Sequence, residues 1–181
     1  MFRMFSKLRR FGSEQRGAAA AEFALVLSLL TIPVLNAIDL ALYAWDRMQV
    51  DNAAQIAVQA AWAACPKSFN LPATPNSYNK CPNMPTAVTT AAQSTTLGTA
   101  VTVTATSENY YCINSSGSLV TVGNFPNTKP SDCSSVGLAA DLPGDYVLIT
   151  VSYTYTPVFA AVSIASVLAS PITRTAWMRL G

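Results

Sequence analysis

Histidine is absent from this 181-residue sequence. That absence removes the commonest general base, the commonest zinc ligand and every Ser-His or Cys-His dyad. Charge is also scarce: Asp, Glu, Lys and Arg together make up 11% of the residues, against about 25% in an ordinary soluble domain. Hydrophobic residues supply 51% and the mean hydropathy is +0.30, so the chain is either partly embedded in a membrane or unusually apolar. There is no C-x-x-C pair, no phosphate-cradling glycine loop, and no lipobox cysteine after the apolar run. Arg9-Arg10 lacks the rest of a twin-arginine motif.

The net charge of +2 hides an asymmetry. Through Arg16 the chain carries Arg3, Lys7, Arg9, Arg10 and Arg16 against Glu14 alone; from Asp39 onward it carries six basic and seven acidic residues. The basic cluster is short and poor in aromatics, which argues against a nucleic-acid partner. Between Arg16 and Asp39 lie 22 residues with a single charge, GAAAAEFALVLSLLTIPVLNAI. A bilayer span needs about 20 largely apolar residues, and basic residues just before one stay in the cytoplasm. The expected arrangement is an N-terminus inside and everything after Asp39 outside. A cleaved secretory signal fits less well, because its apolar core runs only about 7–15 residues and Leu42-Tyr43-Ala44 is a poor cleavage site.

The single charge is Glu22. A carboxylate at mid-bilayer costs roughly 3 kcal/mol on insertion scales, and such residues are functional suspects by default. Near the cytoplasmic edge Glu22 could also simply snorkel to the headgroups. Its surroundings are specific: a basic leader, Arg16-Gly17, the small run Ala18-Ala19-Ala20-Ala21, then Glu22-Phe23. This pattern resembles the prepilin-peptidase site of type IV pilin-like proteins. The Glu-aromatic pair resembles the variant of the Tad (tight adherence, or Flp pilus) branch, with Phe23 standing where tyrosine is usual.

Together with the long helix that follows and a C-terminal Tyr…Pro…Arg…Met-Arg region, the chain is similar to the TadE-like minor pilins, or pseudopilins. The likeness is close over the N-terminal third and loose over the last 35 residues. It implies processing after Gly17, a new ammonium on Ala18, and a Glu22 carboxylate that neutralises the amine of its own or a neighbouring subunit during assembly. Two charges that are each costly in hydrocarbon are tolerable as a pair. The implied partners are a prepilin peptidase, other pilin and pseudopilin subunits and the inner-membrane Tad assembly platform. The implied location is the inner membrane, with a further place in the pilus on the cell surface.

Nothing stops the helix at the outer surface: no glycine or proline occurs from Asp39 to Ala64, and Cys65-Pro66 is the first breaker. Ala18 to Ala64 would measure about 70 Å, over twice the hydrocarbon thickness. Pro33 frees the carbonyl of Leu29 and favours a bend. Beyond the membrane, Val50, Ala53, Ala54, Ala57, Ala60, Ala61 and Ala64 form one stripe at the spacing of a buried face. Asp51, Asn52, Gln55 and Gln59 lie opposite, with Trp62 on the polar side.

The expected organisation is a basic leader over 1–17, a transmembrane part over 18–38, an extracytoplasmic half-helix over 39–65 and an α+β domain over 66–181. Within that domain 66–85 and 123–144 read as loops, and 86–97 as a short helix. Strands are expected over 100–106, 110–113, 119–122, 146–156 and 172–180, with Asn114 to Gly117 as a hairpin turn. The 158–169 stretch is apolar, uncharged and too short to span; it reads as a short helix packed on the sheet or as an interfacial one. The fold class is therefore α+β, a long helix packed against a small, mainly antiparallel sheet.

Cys65, Cys81, Cys112 and Cys133 all follow the anchor, an even count suited to an oxidising compartment. Of three possible pairings, Cys65–Cys81 and Cys112–Cys133 each close a turn-rich loop locally. Four cysteines this far apart fit a zinc site badly. The acids beyond the anchor are Asp39, Asp46, Asp51, Glu108, Asp132, Asp141 and Asp145. No two of them form a recognisable catalytic pair, and Asp141 and Asp145 flank Pro143-Gly144 as turn residues. No catalysis, cofactor or metal is expected. The functional alternatives are a processed pseudopilin, an unprocessed single-pass assembly factor of the same apparatus and, third, a membrane-anchored enzyme.

Overall fold

A computed structural model describes residues 15–65, 73, 80–125, 127–168 and 170–180. The basic leader through Glu14 and most of the loop after Cys65 lie outside the described residues. The elements in chain order are helix α1 (Gln15–Ala64), helix α2 (Met84–Ala92), and strands β1 (Thr102–Ile113), β2 (Leu119–Asn124), β3 (Gly144–Tyr153) and β4 (Ile172–Arg179). The fold is α+β, as the sequence predicts. Contacts divide the chain into two compact units: Met1–Tyr43 with Thr156–Leu168, and Ala44–Tyr155 with Ala169–Gly181.

The first unit is built on the apolar stretch of α1. Almost every side chain from Gly17 to Val34 is exposed, so this surface is made for something other than the chain's own core. Its hydroxyl groups bond back to the helix. Ser28 Oγ bonds to the carbonyls of Ala24 and Leu25, and Thr31 Oγ1 to that of Leu27 at 2.8 Å. Such back-bonding hides hydroxyls along the helix itself. Pro33 lies within the helix, which continues past it.

The second unit is an antiparallel sheet in the order β2-β1-β3-β4, with α2 and the part of α1 from Ala44 onward. Val147, Ile149 and Val151 alternate along β3 and are fully buried. Each such side chain contributes about 1.5–3 kcal/mol on leaving water. On α1, Val50, Ala53, Ala54, Ala57, Val58 and Ala61 are buried. The stripe is slightly rotated from the expected one: Val58 joins it, while Ala60 and Ala64 are half-buried. Arg174 of β4 binds Asp51 of α1 at 2.7 Å, and the phenol of Tyr153 on β3 donates to Asp46 of the same helix.

Several boundaries differ from the sequence reading. Helix α2 starts at Met84 because Pro85 suits a first turn. It ends at Ala92 rather than 97, where a run of Ser, Thr and Gly gives up helix propensity and a 3-10 turn (Gly98–Ala100) follows. The two expected strands 100–106 and 110–113 are one 12-residue strand, β1. It pairs with β3 from Thr102 to Tyr111, across a bulge between Val103 and Ala105. Strand β3 runs from Gly144, which pairs with Tyr111, to Tyr153, where its β4 partner Ile172 begins.

The β1–β2 hairpin is as expected. Asn114 Oδ1 accepts from the backbone of Ser116 and Ser118, and Gly117 takes a φ of +78° that other residues resist. Cys65 is bonded to Cys81 and Cys112 to Cys133, the two local closures read from the spacing.

Candidate functional site

Four clusters of chemically notable residues stand apart from ordinary packing. The first is the start of α1, where Gly17, Ala18, Glu22 and Phe23 occupy the first two turns and are all exposed. Glycine in a helix costs about 1 kcal/mol relative to alanine, and here nothing among the described residues requires it. A Cβ built at Gly17 would meet no atom within 4 Å. Glu22 is the only charged side chain between Gly17 and Ile38, set among exposed Phe23, Leu25 and Val26.

The second cluster lies at the other end of the apolar stretch. Asp39 is fully buried. Its two carboxylate oxygens accept from the backbone N–H groups of Val158 and Phe159 at 3.0 and 3.2 Å. One turn earlier, Asn36 Oδ1 accepts from the N–H of Ile164 at 2.7 Å. Its Nδ2 donates to the carbonyls of Val162 and of Ile32, at 3.0 and 2.9 Å. Asn36 and Asp39, three residues apart on one helix face, thus hold a segment more than a hundred residues away in sequence. The sequence reading of 158–169 as a helix is corrected here. Residues 158–162 form turns and only Ile164–Val167 form a 3-10 helix, opened by Ser163 accepting from Ala165.

The third cluster corrects the reading of Asp145 as a turn residue and brings together two acids that the sequence did not relate. Asp145 lies in β3, buried beside Glu108 of β1. The β1–β3 register sets Glu108 opposite Val147 and Tyr110 opposite Asp145, so the two acids are diagonal neighbours on one face. Glu108 Oε2 and Oε1 accept from the N–H of Ala73 at 2.8 and 3.0 Å. Asp145 is pushed up to about 7, first by desolvation, then by the charge of Glu108 and their shared hydrogen bond, with Lys129 acting in the opposite sense. Tyr110 is raised as well, by burial and then by the charges of Asp145 and Glu108. This pair is closed off from solvent, which suits a proton-sharing link in the fold better than substrate chemistry.

The fourth is on the opposite sheet face, where Tyr111 packs against Tyr146 and Trp177 with ring centroids 5.6 and 5.5 Å apart. A concavity of about 500 Å³ adjoins them, lined by Tyr111, Tyr146, Asp141, Leu142 and Arg179. Gly144 keeps it open: a Cβ there would come within 2.6 Å of the Tyr146 ring. The sequence reading assigned no role to Asn36, Glu108 or this aromatic group. Among the described residues no group of three or more Cys, Asp or Glu side chains is arranged to hold a metal ion.

The helix α1 is long and apolar enough to cross a membrane from Gly17 onward. A family model described as TadE-like protein matches residues 17–59. The matched stretch opens on Gly17, contains Glu22-Phe23, Asn36 and Asp39, and runs into the buried stripe of α1. The likeness read from the N-terminal motif is therefore supported over that segment. No curated protein and no solved structure matches the chain.

Proposed function

We propose that the chain is a minor pilin, or pseudopilin, of a Tad (Flp-type) pilus, processed after Gly17 and contributing to pilus assembly and surface adherence. The observation that carries this reading is Gly17 itself, an exposed helical glycine that packing does not need, standing where the TadE-like match begins. A residue that costs helix stability and fills no steric role is well explained by recognition, here by a prepilin peptidase.

In this reading the leader with its Arg and Lys residues stays in the cytoplasm, α1 crosses the inner membrane, and the sheet unit stands outside. Cleavage leaves an ammonium on Ala18 and places Glu22 fifth in the mature chain. The exposed apolar surface of α1 is at home in lipid before assembly and against neighbouring pilin helices after it. The role is structural rather than catalytic, and its partners are the peptidase, other pilin and pseudopilin subunits and the inner-membrane Tad platform.

The test is the N-terminal residue of the membrane-extracted protein, with and without the host's prepilin peptidase. A start at Ala18 only when the peptidase is present supports the proposal. A start at Met1 in both cases overturns processing and leaves an unprocessed single-pass assembly factor. A start near Trp45 means ordinary secretion.

A further inference from the structure

We propose that the 156–168 segment is an interfacial collar, seated in the outer leaflet of the bilayer beside α1 and setting the depth at which that helix stops. The inference rests on the reading that α1 spans the membrane.

Three observations lead to it. The first is position along α1. From Ala18 to Asp39 the helix rises about 32 Å, and the hydrocarbon core is about 30 Å thick. With Ala18 at the inner edge, Asn36 and Asp39 lie at the outer edge, and they are the residues that grip the segment. Tyr43 and Trp45 follow within two turns, the aromatic types enriched at membrane interfaces.

The second is surface. The segment TPVFAAVSIASVL carries no charge, and Val158, Val162, Ile164 and Val167 are exposed, Val167 by 84%. These side chains continue the apolar surface of α1, whose Val34 and Ile38 are exposed as well.

The third is backbone satisfaction. A loop facing water has no need of internal partners, whereas a segment leaving water must satisfy its own N–H groups. Val158 and Phe159 donate to Asp39 and Ile164 to Asn36. Val162 and Ser163 donate to the carbonyl of Phe159, Ser166 to that of Ser163, and Leu168 to that of Ala165. Ala165 donates to Ser163 Oγ. An irregular stretch with so many of its donors bound internally is built for low polarity. Asp39 fits the same picture, since a carboxylate at this depth is tolerable when it is buried and bonded.

The test places an environment-sensitive fluorophore on single added cysteines in the full chain, reconstituted in phosphatidylcholine vesicles under non-reducing conditions. The positions are Leu30→Cys in the span, Val167→Cys in the collar and Ser116→Cys in the exposed hairpin turn. Two sets of lipids serve as quenchers, brominated near the end of the acyl chain for Leu30 at mid-bilayer and high on the acyl chain for Val167 and Ser116. Loss of emission at Leu30 and Val167 but not at Ser116 is the expected result. In an Asp39→Ala background the Val167 signal should escape quenching while Leu30 stays quenched.

Quenching at Leu30 without quenching at Val167 overturns the collar and leaves the span intact. No quenching at Leu30 overturns the span itself, and the collar with it. Val167 unquenched by lipid yet readily cross-linked to a second copy also overturns the collar, in favour of a contact between subunits.

Discussion

Glu108 of β1 and Asp145 of β3 share a hydrogen bond between two carboxyl groups inside the sheet unit, where Lys129 acts to lower Asp145 and the charges of the two acids raise Tyr110. Both oxygens of Glu108 also hold the backbone of Ala73. Burial of Asp145 and the charge of Glu108 beside it favour the protonated form of Asp145.

This arrangement makes stability depend on pH with a definite sign. Folding pushes Asp145 up to about 7 from the ordinary aspartate value of 3.8. A raised folded value means that its contribution is complete below about pH 4 and is lost as pH rises through 7. Between these limits stability should fall by up to about 1.4 kcal/mol per pH unit. Urea unfolding of the full chain in detergent, followed by aromatic fluorescence at pH 5.5 and pH 8.5, should give the lower midpoint at pH 8.5. Asp145→Asn keeps a donor for Glu108 without the titration and should flatten that difference.

The two disulfides close loops of similar length, with sequence separations of 16 and 21. Loop-closure entropy for such lengths corresponds to about 3 kcal/mol each. Replacing Cys112 and Cys133 together by serine should lower the stability of the sheet unit by about that amount. The effect is checked against the parent chain in the same urea experiment. A full loss of folding would instead mean that the link is needed to form the unit at all.

Ala53 and Ala57 have no exposed surface on α1. Added methylenes in a filled core cost about 1–3 kcal/mol, so Ala57→Leu should reduce the thermal midpoint of the extracted protein. Gln59→Leu, at an exposed position of the same helix, should change stability by no more than about 0.5 kcal/mol. The Asp51–Arg174 bridge is partly exposed, and breaking it by Asp51→Asn should cost at most about 1 kcal/mol.

Much of this architecture is legible in the residues because its signals are local. The apolar run, the alanine stripe, the hairpin at Asn114–Gly117 and the alternation of Val147, Ile149 and Val151 each repeat within a few positions. The pairing of cysteines follows from short loops. What escapes a reading of the sequence is tertiary. Glu108 and Asp145 meet only because β1 and β3 pair in one particular register, and no feature near either residue announces the other. Likewise Asp39 reads only as the charge that closes the apolar run and Asn36 carries no signal of its own, while their distant partners lie beyond residue 157. The 158–169 stretch has helical composition, yet Asp39 holds Val158 and Phe159 while Asn36 holds Val162 and Ile164, and turns satisfy that geometry better than a helix.

Glu22 is the residue on which the assembly role can be judged separately from folding. It is exposed on the first turns of α1 and packs in no core, so Glu22→Ala removes a charge without opening a cavity. Insertion should be no harder, because the carboxylate itself costs up to roughly 3 kcal/mol in a span. The variant should therefore reach the membrane at the parent level. If the carboxylate pairs with the Ala18 ammonium when subunits join, that ammonium is left unpaired in an apolar setting, and breaking such a pair is strongly unfavourable. The expected outcome is normal membrane abundance with a marked fall in surface pili, counted by electron microscopy or by recovery of sheared filaments. Normal piliation would reduce Glu22 to a carboxylate that reaches the headgroups and does nothing for assembly.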